Sequence, residues 1–240
     1  MILSKRLETV AGLVSPGFSV ADVGTDHGYV PIFLAEKGIC PMAIAMDINE
    51  GPLLRAQEHI REYGMQEQIT CRLSDGLKGL EPGEVQSIVI AGMGGILIRR
   101  ILADRPETAR EAKELILSPH TDAALVRRYV LQNGFSITEE RFVFDEGKYY
   151  PVIKASFVRQ EDFAAGYGAE EDFAFGRYLI EHKDAVLKQY LESENRKFDA
   201  ILKNLSGQES TENVISGMEE IRKKKAVIQA ALRRINDEMQ

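Results

Sequence analysis

Short apolar runs recur through the first two thirds of the sequence and alternate with amphipathic segments. Most of these runs are apolar almost without interruption, which is typical of strands that helices cover on both faces of a sheet. They span residues 18–23, 42–47, 69–73, 86–92 and 114–119. Helical spacing of apolar residues predicts helices over 51–64 and 121–134, each ending at a glycine. This alternation predicts an α/β fold of the Rossmann-like type, with a doubly wound and mainly parallel sheet.

The pattern changes after residue 134. Residues 135–144 and 149–158 each contain a β-type run, and residues 145–148 form a predicted turn between them. We expect a β-hairpin that adds an antiparallel pair to one edge of the sheet. The predicted first domain therefore covers residues 1–158.

A helical region follows, and we assign residues 159–240 to a second domain. Two long helical segments are separated by residues 206–210. The second segment repeats apolar residues at alternating spacings of four and three through Val214, Met218, Ile221, Ile228, Leu232, Ile235 and Met239, with Lys225 in the same seam. The first segment carries Ile180, Leu187, Leu191, Phe198, Ile201 and Leu205, interrupted by Asp184 and Glu194. These spacings predict an antiparallel, coiled-coil-like helical hairpin, which is either a structural or dimerising appendage or an arm that recruits substrate.

Composition narrows the class of protein. The net charge of −7 argues against a protein that coats nucleic acid without selectivity. No window approaches the roughly 18 apolar residues of a membrane span, and the first residues do not resemble a secretory signal, so we expect no membrane association and a cytoplasmic protein. Cys40 and Cys71 lack metal-binding spacing, so we expect buried thiols and no metal site.

A glycine-containing loop follows the first predicted strand. The stretch ADVGTDHGYVP, residues 21–31, contains Asp22, Gly24 and Gly28, with Asp26 where a dinucleotide site would normally have a further glycine. A carboxylate within about 5 Å of the NAD pyrophosphate would cost on the order of a few kcal/mol. S-adenosylmethionine (SAM) carries a sulfonium and an ammonium and no phosphate. Asp22 and Asp26 therefore favour SAM over NAD, and the sequence has no phosphate-binding motif typical of ATP sites.

Three later strand ends carry further candidates. Asp47 ends the second strand, at the distance from Gly24 at which an acidic residue meets ribose hydroxyls. Asp75 follows the third strand, and its carboxylate is suited to accept a hydrogen bond from an adenine amino group. Residues 91–95, AGMGG, end the fourth strand, and their glycines allow substrate to approach the backbone. Because the strand ends share one edge of the sheet, these residues predict a common ligand site.

Five short motifs are similar to those of one enzyme family. They are LSKRL (3–7), ADVGTDHGYVP (21–31), NEGPLLRA (49–56), SDGL (74–77) and IAGMGG (90–95). They resemble the bacterial tRNA (adenine-22-N1)-methyltransferases, and the resemblance covers essentially the whole chain. It implies a class I SAM-dependent methyltransferase that methylates N1 of an adenine in the D-arm of tRNA.

The resemblance and the loop chemistry together assign the site residues. Candidate cofactor-binding residues are Asp22, Gly24, Asp26, Gly28, Asp47, Ile48, Asp75, Gly76 and Gly92. Candidate catalytic residues are Asp26, His27 and Tyr29. Candidate substrate-binding residues are Lys5, Arg6, Met93, Gly94, Gly95, Pro119 and His120. Many family members have Gln-Pro-Asn where this chain has Ser118, Pro119 and His120, so the resemblance carries no amide contact over to His120.

The implied reaction sets the roles of the loop residues. Adenine N1 has an in-plane lone pair and no proton, so we expect alignment and electrostatics to matter more than proton removal. A fixed Asp26 carboxylate is suited to stabilise the positive charge while that charge moves from sulfur to the adenine ring. His27 is expected to bond the target base or to shape the pocket, and Tyr29 either stacks on the extruded adenine or packs under the first helix. His59 and His182 lie on predicted helix faces and receive no role.

Four basic clusters are either phosphate contacts for tRNA or solvated helix faces. They are residues 5–6, 99–100, 127–128 and 223–225. We expect a monomer or a weak dimer. From the residues alone, two other functions stay open. One is a nucleotide-dependent oxidoreductase on the same fold, and the other is a non-catalytic RNA-binding protein that acts through its helical arm.

Overall fold

The computed structural model describes residues 1–158, 166–207 and 211–237. Its contacts divide the chain into two compact units, Met1–Ala165 and Gly166–Gln240. The predicted domain boundary after residue 158 lies at the start of a stretch, 159–165, that is outside the described residues. The boundary therefore stays a prediction at the level of single residues.

The first unit is a seven-stranded sheet with helices in most of the connections between its first five strands. Its helices are α1 Lys5–Gly12, α2 Tyr29–Glu36, α3 Glu50–Glu62, α4 Gly95–Asp104, α5 Pro106–Glu111 and α6 Ala123–Gln132. Its strands are β1 Val20–Val23, β2 Ala43–Asp47, β3 Ile69–Leu73, β4 Ser87–Met93, β5 Glu114–Pro119, β6 Phe135–Asp145 and β7 Lys148–Phe157. The predicted strands are confirmed to within two residues at each end. Both predicted helices of this unit, now α3 and α6, are confirmed as well.

The strand order is β3-β2-β1-β4-β5-β7-β6. The pairs among the first five strands are parallel, whereas β7 is antiparallel to both β5 and β6. This confirms the doubly wound sheet with an antiparallel hairpin at one edge. The chain order reverses between β1 and β4, so a crevice is expected at the carboxyl ends of these two strands, where doubly wound folds bind ligands.

The edge hairpin is longer than the strand beside it. Strand β5 has six residues, while β6 and β7 have 11 and 10. Leu115 pairs with Ala155 and Leu117 with Ile153, so the turn end of the hairpin extends past the carboxyl end of β5. The hairpin therefore forms a wall beside the crevice.

A buried ion pair joins α6 to the hairpin. The Nε of Arg127 donates to Oε1 of Glu140 at 2.7 Å, and both side chains are 1% exposed or less. Both alternatives predicted for Arg127, a phosphate contact and a solvated helix face, are therefore wrong, because its side chain faces the core and is paired there. Burial raises the pKa of Glu140, and the charge of Arg127 opposes that rise.

The second unit is helical. It contains a π-helical turn at Asp172–Gly176, α7 at Arg177–Glu181, α8 at Ala185–Ser206 and α9 at Glu212–Asn236. Helices α8 and α9 pack against each other, as the spacing predicts. Buried apolar residues of the seam are Leu187, Leu191, Ile228 and Ile235, and Ala231, outside the predicted seam, is buried as well. Met239 and residues 208–210 of the predicted linker lie outside the described residues.

One prediction for this unit is wrong. Ile180 and Leu187 do not share one helix, because the chain leaves the helical conformation between α7 and α8. Lys183 has a φ of +51°, and the Asp184 carboxylate accepts the backbone N–H of Leu187 at 2.8 Å. Asp184 is thus the N-cap of α8 and not a polar interruption within a helix. In the facing helix, Lys225 forms an ion pair with Asp199, which explains a lysine in an otherwise apolar seam.

Candidate active site

A cleft of about 340 Å³ opens at the carboxyl ends of β1, β4 and β5. It is lined by Arg6, Leu7, Asp22, Gly24, Thr25, Asp26, His27, Tyr29, Val30, Ala91, Gly92 and His120. A smaller cavity of about 90 Å³ is lined by Val23, Gly24, Asp47, Ile48, Ser74, Asp75, Gly76, Met93, Leu97, Arg100 and Ile101. Gly24 lines both. The structure therefore brings most of the predicted site residues together in two adjoining spaces.

Gly24 lies at the junction of the two spaces. Its φ is +80°, a conformation that favours glycine. A Cβ atom built there would stand 1.9 Å from the terminal methyl carbon of Met93. No larger residue fits at this position unless Met93 moves. The glycine leaves the backbone of the loop open to a ligand that runs from one cavity to the other.

Asp22 is the buried carboxyl group of the larger cleft. Burial raises its pKa to about 6, and the nearby negative charge of Asp47 adds to the rise. A cation bound beside Asp22 would favour the ionised form and lower this pKa. The cleft therefore contains a site suited to an ammonium group.

Arg6 brings the opposite charge into the same cleft. Helix α1 begins after Ser4, whose side chain accepts the backbone N–H of Leu7, and this start places Arg6 at the cleft. The Arg6 guanidinium lies 5.4 Å from the ring centroid of Tyr150, and its backbone N–H donates to Asp145 at 3.0 Å. Its Nη1 atom is buried and has no hydrogen-bond partner among the described residues. A buried, unpaired donor on a cation is suited to an anionic ligand group.

Asp26 is paired by the protein itself. Its carboxylate forms an ion pair with Arg55 of α3 and lies 3.3 Å from Nε2 of His27. The Asp26 side chain is 65% exposed. The sequence alone predicts a carboxylate free to meet a cationic cofactor, whereas the structure pairs it with Arg55. Asp26 therefore links α3 to the ring of His27 as well as facing the cleft.

Three aromatic rings lie together at the mouth of the cleft. The ring centroids of His27, Tyr29 and His59 are 5.0 to 5.4 Å apart, with interplanar angles of 10° to 23°. Nδ1 of His59 lies 3.0 Å from the carbonyl oxygen of His27. No role was predicted for His59. The available signal was its spacing of four from Arg55, which places both side chains on one face of α3, toward the glycine loop.

The smaller cavity contains the predicted ribose and adenine contacts. One oxygen of Asp47 accepts the backbone N–H of Asn49 at 2.8 Å, and the Ile48 side chain is exposed beside it. Lys78 donates to Asp75 at 2.5 Å, and this hydrogen bond lowers the pKa of Asp75. Asp75 is therefore ionised at neutral pH, and an adenine amino group would share it with Lys78.

His120 lies at the far side of the larger cleft, against the hairpin. Its backbone N–H donates to the carbonyl of Met93 at 2.8 Å, and its ring centroid is 5.1 Å from that of Tyr150. Burial, followed by the positive charges of Arg6 and Lys148, lowers its pKa. His120 is therefore a neutral imidazole near pH 7. Tyr150, which contacts both Arg6 and His120, was not predicted.

Five predicted site residues lie outside the linings of both cavities: Lys5, Gly28, Gly94, Gly95 and Pro119. Lys5 is exposed, whereas Pro119 is buried in β5. Gly28 and Gly94 precede α2 and α4, where they start the helices. A Cβ at Gly95 would stand 2.6 Å from the carbonyl oxygen of Asp122. Gly95 therefore allows α4 to pack closely against that loop, and its substrate role stays a prediction.

Within the described ranges, no group of three or more His, Cys, Asp or Glu side chains is arranged to hold a metal ion. Cys40 is buried as expected, whereas Cys71 is only partly buried, and both are free thiols. Among the helices of the described ranges, none is both long and apolar enough to span a membrane.

A doubly wound sheet with an acidic glycine loop and a two-part cleft defines a SAM-dependent methyltransferase of class I. The sequence profile of a methyltransferase domain family matches residues 3–153. The tRNA (adenine(22)-N(1))-methyltransferase of Bacillus subtilis is 31% identical over 210 residues, which cover 88% of each chain. The chain belongs to this methyltransferase family, and the oxidoreductase and non-catalytic alternatives are set aside.

Solved structures agree over both units. The crystal structure of the B. subtilis M1A22 tRNA methyltransferase TrmK has a TM-score of 0.83 and 30% identity, covering 96% of this chain and 99% of that one. The structure of M. capricolum TrmK with the cofactor product S-adenosylhomocysteine has a TM-score of 0.82 and 27% identity. The match covers 98% of this chain and 100% of that one. SAM is the cofactor of the family, as the loop chemistry predicts.

Proposed function

We propose that this protein transfers the methyl group of SAM to N1 of the adenine at position 22 of tRNA. The observation that carries the proposal is one cleft in which the buried carboxyl of Asp22 and the rings of His27 and Tyr29 line the same space. The cleft thus has a site for a cationic cofactor beside a site for a planar base. The B. subtilis relative, matched over most of both chains, supports the choice of nucleotide.

The residues of the two cavities fit the parts of SAM. In the larger cleft, Asp22 would hold the ammonium group of the methionine part, and the buried Nη1 of Arg6 would hold its carboxylate. In the smaller cavity, Asp47 would hold the ribose hydroxyls and Asp75 the adenine amino group. This arrangement moves Arg6 from a predicted phosphate contact to a cofactor contact. The opposite charges of Asp22 and Arg6 in the larger cleft then serve one purpose, which is to bind the charged methionine part of SAM.

The methyl transfer requires the protein to align adenine N1 with the methyl group of SAM. When bound, SAM supplies an electrophilic methyl group on a positively charged sulfur. The lone pair of adenine N1 would form the new bond to that methyl carbon, the electron pair of the broken carbon–sulfur bond would stay on sulfur, and no proton would leave N1 in this step. Tyr29 and His27 hold the adenine ring at the cleft, and the neutral edge of His120 faces it from the hairpin side.

Asp26 contributes in two ways in this proposal. Its negative charge stays near the reaction while positive charge moves from sulfur to the adenine ring. Its contacts with Arg55 and His27 also fix the ring of His27 in the loop. Because Arg55 already neutralises part of its charge, we assign Asp26 chiefly to positioning.

The proposal extends to the partner and to the helical unit. An adenine within folded tRNA must be exposed or flipped out, at a cost of roughly a few kcal/mol, and binding elsewhere on the tRNA must offset that cost. The helical unit is the arm that we propose for this recruitment, although its role as a dimerising appendage is the competing possibility. We propose that the protein acts on tRNA in the cytoplasm, as a monomer or a weak dimer.

A defined reaction tests the function. The purified protein is incubated with SAM and either a tRNA transcript with adenine at position 22 or one with guanine there, followed by mass spectrometry of the nucleosides. We expect N1-methyladenosine only with the first transcript. Equal amounts from both transcripts would disprove the assignment of position 22, and no product from either would disprove the proposed activity.

A further inference from the structure

The cluster of His27, Tyr29 and His59 has a geometry that the methyl transfer alone does not use. The three ring centroids form a nearly equilateral triangle, and the planes differ by at most 23°. A column of stacked rings would separate its outer members by twice the spacing of neighbours, so this is not a column. A planar group that lies parallel to Tyr29 is therefore also nearly parallel to the other two rings.

His59 extends the cluster beyond the cleft. It belongs to α3 and lies outside the lining of both cavities, whereas His27 and Tyr29 line the larger one. Its Nδ1 faces the carbonyl oxygen of His27 at 3.0 Å, so Nδ1 carries the proton and donates. This hydrogen bond and the packing against the rings of His27 and Tyr29 both hold the His59 ring, and a phenylalanine would keep the packing. The ring is only partly buried, and Tyr29 is 39% exposed.

We propose that His59, together with the exposed part of the Tyr29 ring, binds the base of the nucleotide next to the target adenine. The inference rests on the proposed function, because it needs an RNA strand at the cleft. Extruding the target adenine removes its stacking from its neighbour in the strand. An aromatic side chain whose ring is parallel to those that hold the target adenine offers the neighbouring base a surface on which to stack again. Such stacking is tolerant of base identity, since every base has a π-face.

The binding test uses fluorescence of the neighbouring base. A D-arm RNA that carries 2-aminopurine on the 5′ side of the target, and a second RNA that carries it on the 3′ side, are titrated with the wild type, His59→Leu and His59→Phe. Gln57→Ala, an exposed change on the same helix, is the matched control. We expect one of the two probes to be quenched by the wild type, Gln57→Ala and His59→Phe, and to lose that quenching with His59→Leu.

Kinetics separate this role from a structural one. For His59→Leu we expect the KM for tRNA to rise roughly tenfold, which matches the loss of one stacked base, with kcat and the Kd for SAM unchanged. His59→Phe should keep a KM near the wild-type value. Equal quenching by His59→Leu and the wild type would overturn the inference, as would a matching loss of SAM affinity in both variants. Unquenched probes beside normal methylation would overturn it and leave the proposed function intact.

Discussion

The guanidinium of Arg55 and the carboxylate of Asp26 form an ion pair that ties helix α3 to the glycine loop. The same carboxylate lies 3.3 Å from Nε2 of His27. Asp26 thus receives contacts from two sides, one from a helix and one from its own loop. The position of the His27 ring depends on both.

We expect Asp26→Ala to lower turnover by at least an order of magnitude, because the change removes both a negative charge at the reaction and the support of His27. Arg55→Gln should lower turnover less, since it keeps the carboxylate and removes only one of its partners. Steady-state kinetics with tRNA, together with calorimetry of SAM binding, measure the two effects. Full turnover of Asp26→Ala with normal SAM affinity would remove Asp26 from the mechanism.

Asp22 predicts a pH dependence of SAM binding. Its pKa in the free protein is about 6, so it is mostly protonated below that pH and ionised above it. Only the ionised form pairs with the SAM ammonium. We expect the affinity for SAM to fall by up to about tenfold per pH unit as the pH drops below 6. Calorimetry from pH 5 to pH 8 measures this, and Asp22→Asn should bind weakly with no such dependence.

The same carboxyl group makes a prediction about stability. Because the folded-state pKa is raised from 3.8 to about 6, Asp22 favours the free folded protein most at low pH, and this contribution is lost as the pH rises between those two values. Asp22→Asn should therefore stabilise the free protein at pH 7.5, by about 3 kcal/mol at most. Urea unfolding without SAM tests this. A stability difference that stays constant from pH 4 to pH 7.5 would contradict it.

Arg6 distinguishes a cofactor contact from an RNA contact. We expect Arg6→Ala to weaken SAM binding on the order of 10- to 100-fold, because a buried charge-assisted hydrogen bond is lost. Lys5→Ala is the control, since Lys5 is the exposed neighbour on the same helix. It should leave SAM affinity unchanged. Normal SAM affinity of Arg6→Ala with a raised KM for tRNA would assign Arg6 to phosphate instead.

The buried pair of Arg127 and Glu140 predicts strong coupling in stability. Arg127→Met should destabilise the fold by about 3–5 kcal/mol at pH 8, because it leaves a buried carboxylate without its partner. The loss should be smaller at pH 5, where that carboxyl can take up a proton. The double variant Arg127→Met/Glu140→Leu should recover most of the stability. Additive losses in urea unfolding of the two single variants and the double variant would exclude this coupling.

Sequence periodicity predicts the positions of the strands of the first unit well, because parallel strands buried on both faces leave near-continuous apolar runs. Asp22, Gly24 and Asp47 follow from the same strand positions, since each stands at or next to the end of a strand. Arg55, which pairs with Asp26 29 residues earlier, leaves no such signal. Its partner is set by how α3 packs beside the loop, and spacing along a helix does not reveal that.

The same limit applies to the other misses. In the sequence, Arg127 is typical of a surface cation because it stands beside Arg128. Only the position of Glu140 on the adjoining strand shows that Arg127 faces inward. The division between α7 and α8 depends on Asp184, which is compatible with helical spacing and is also a strong N-cap residue. At Asp184 the apolar periodicity favours a continuous helix, whereas the side chain favours an N-cap. The structure follows the N-cap preference.

The attachment of Arg6 to the hairpin has a consequence for synthesis of the protein. Its backbone contacts Asp145, which is 139 residues later in the chain, and its guanidinium contacts Tyr150. A nascent chain that has not yet released the hairpin from the ribosome has Arg6 but lacks the residues that hold it. In our assignment the cofactor carboxylate gains its fixed partner only after nearly all of the first unit has been translated. The contact between the cofactor carboxylate and Arg6 is thus one that only the finished first unit can make.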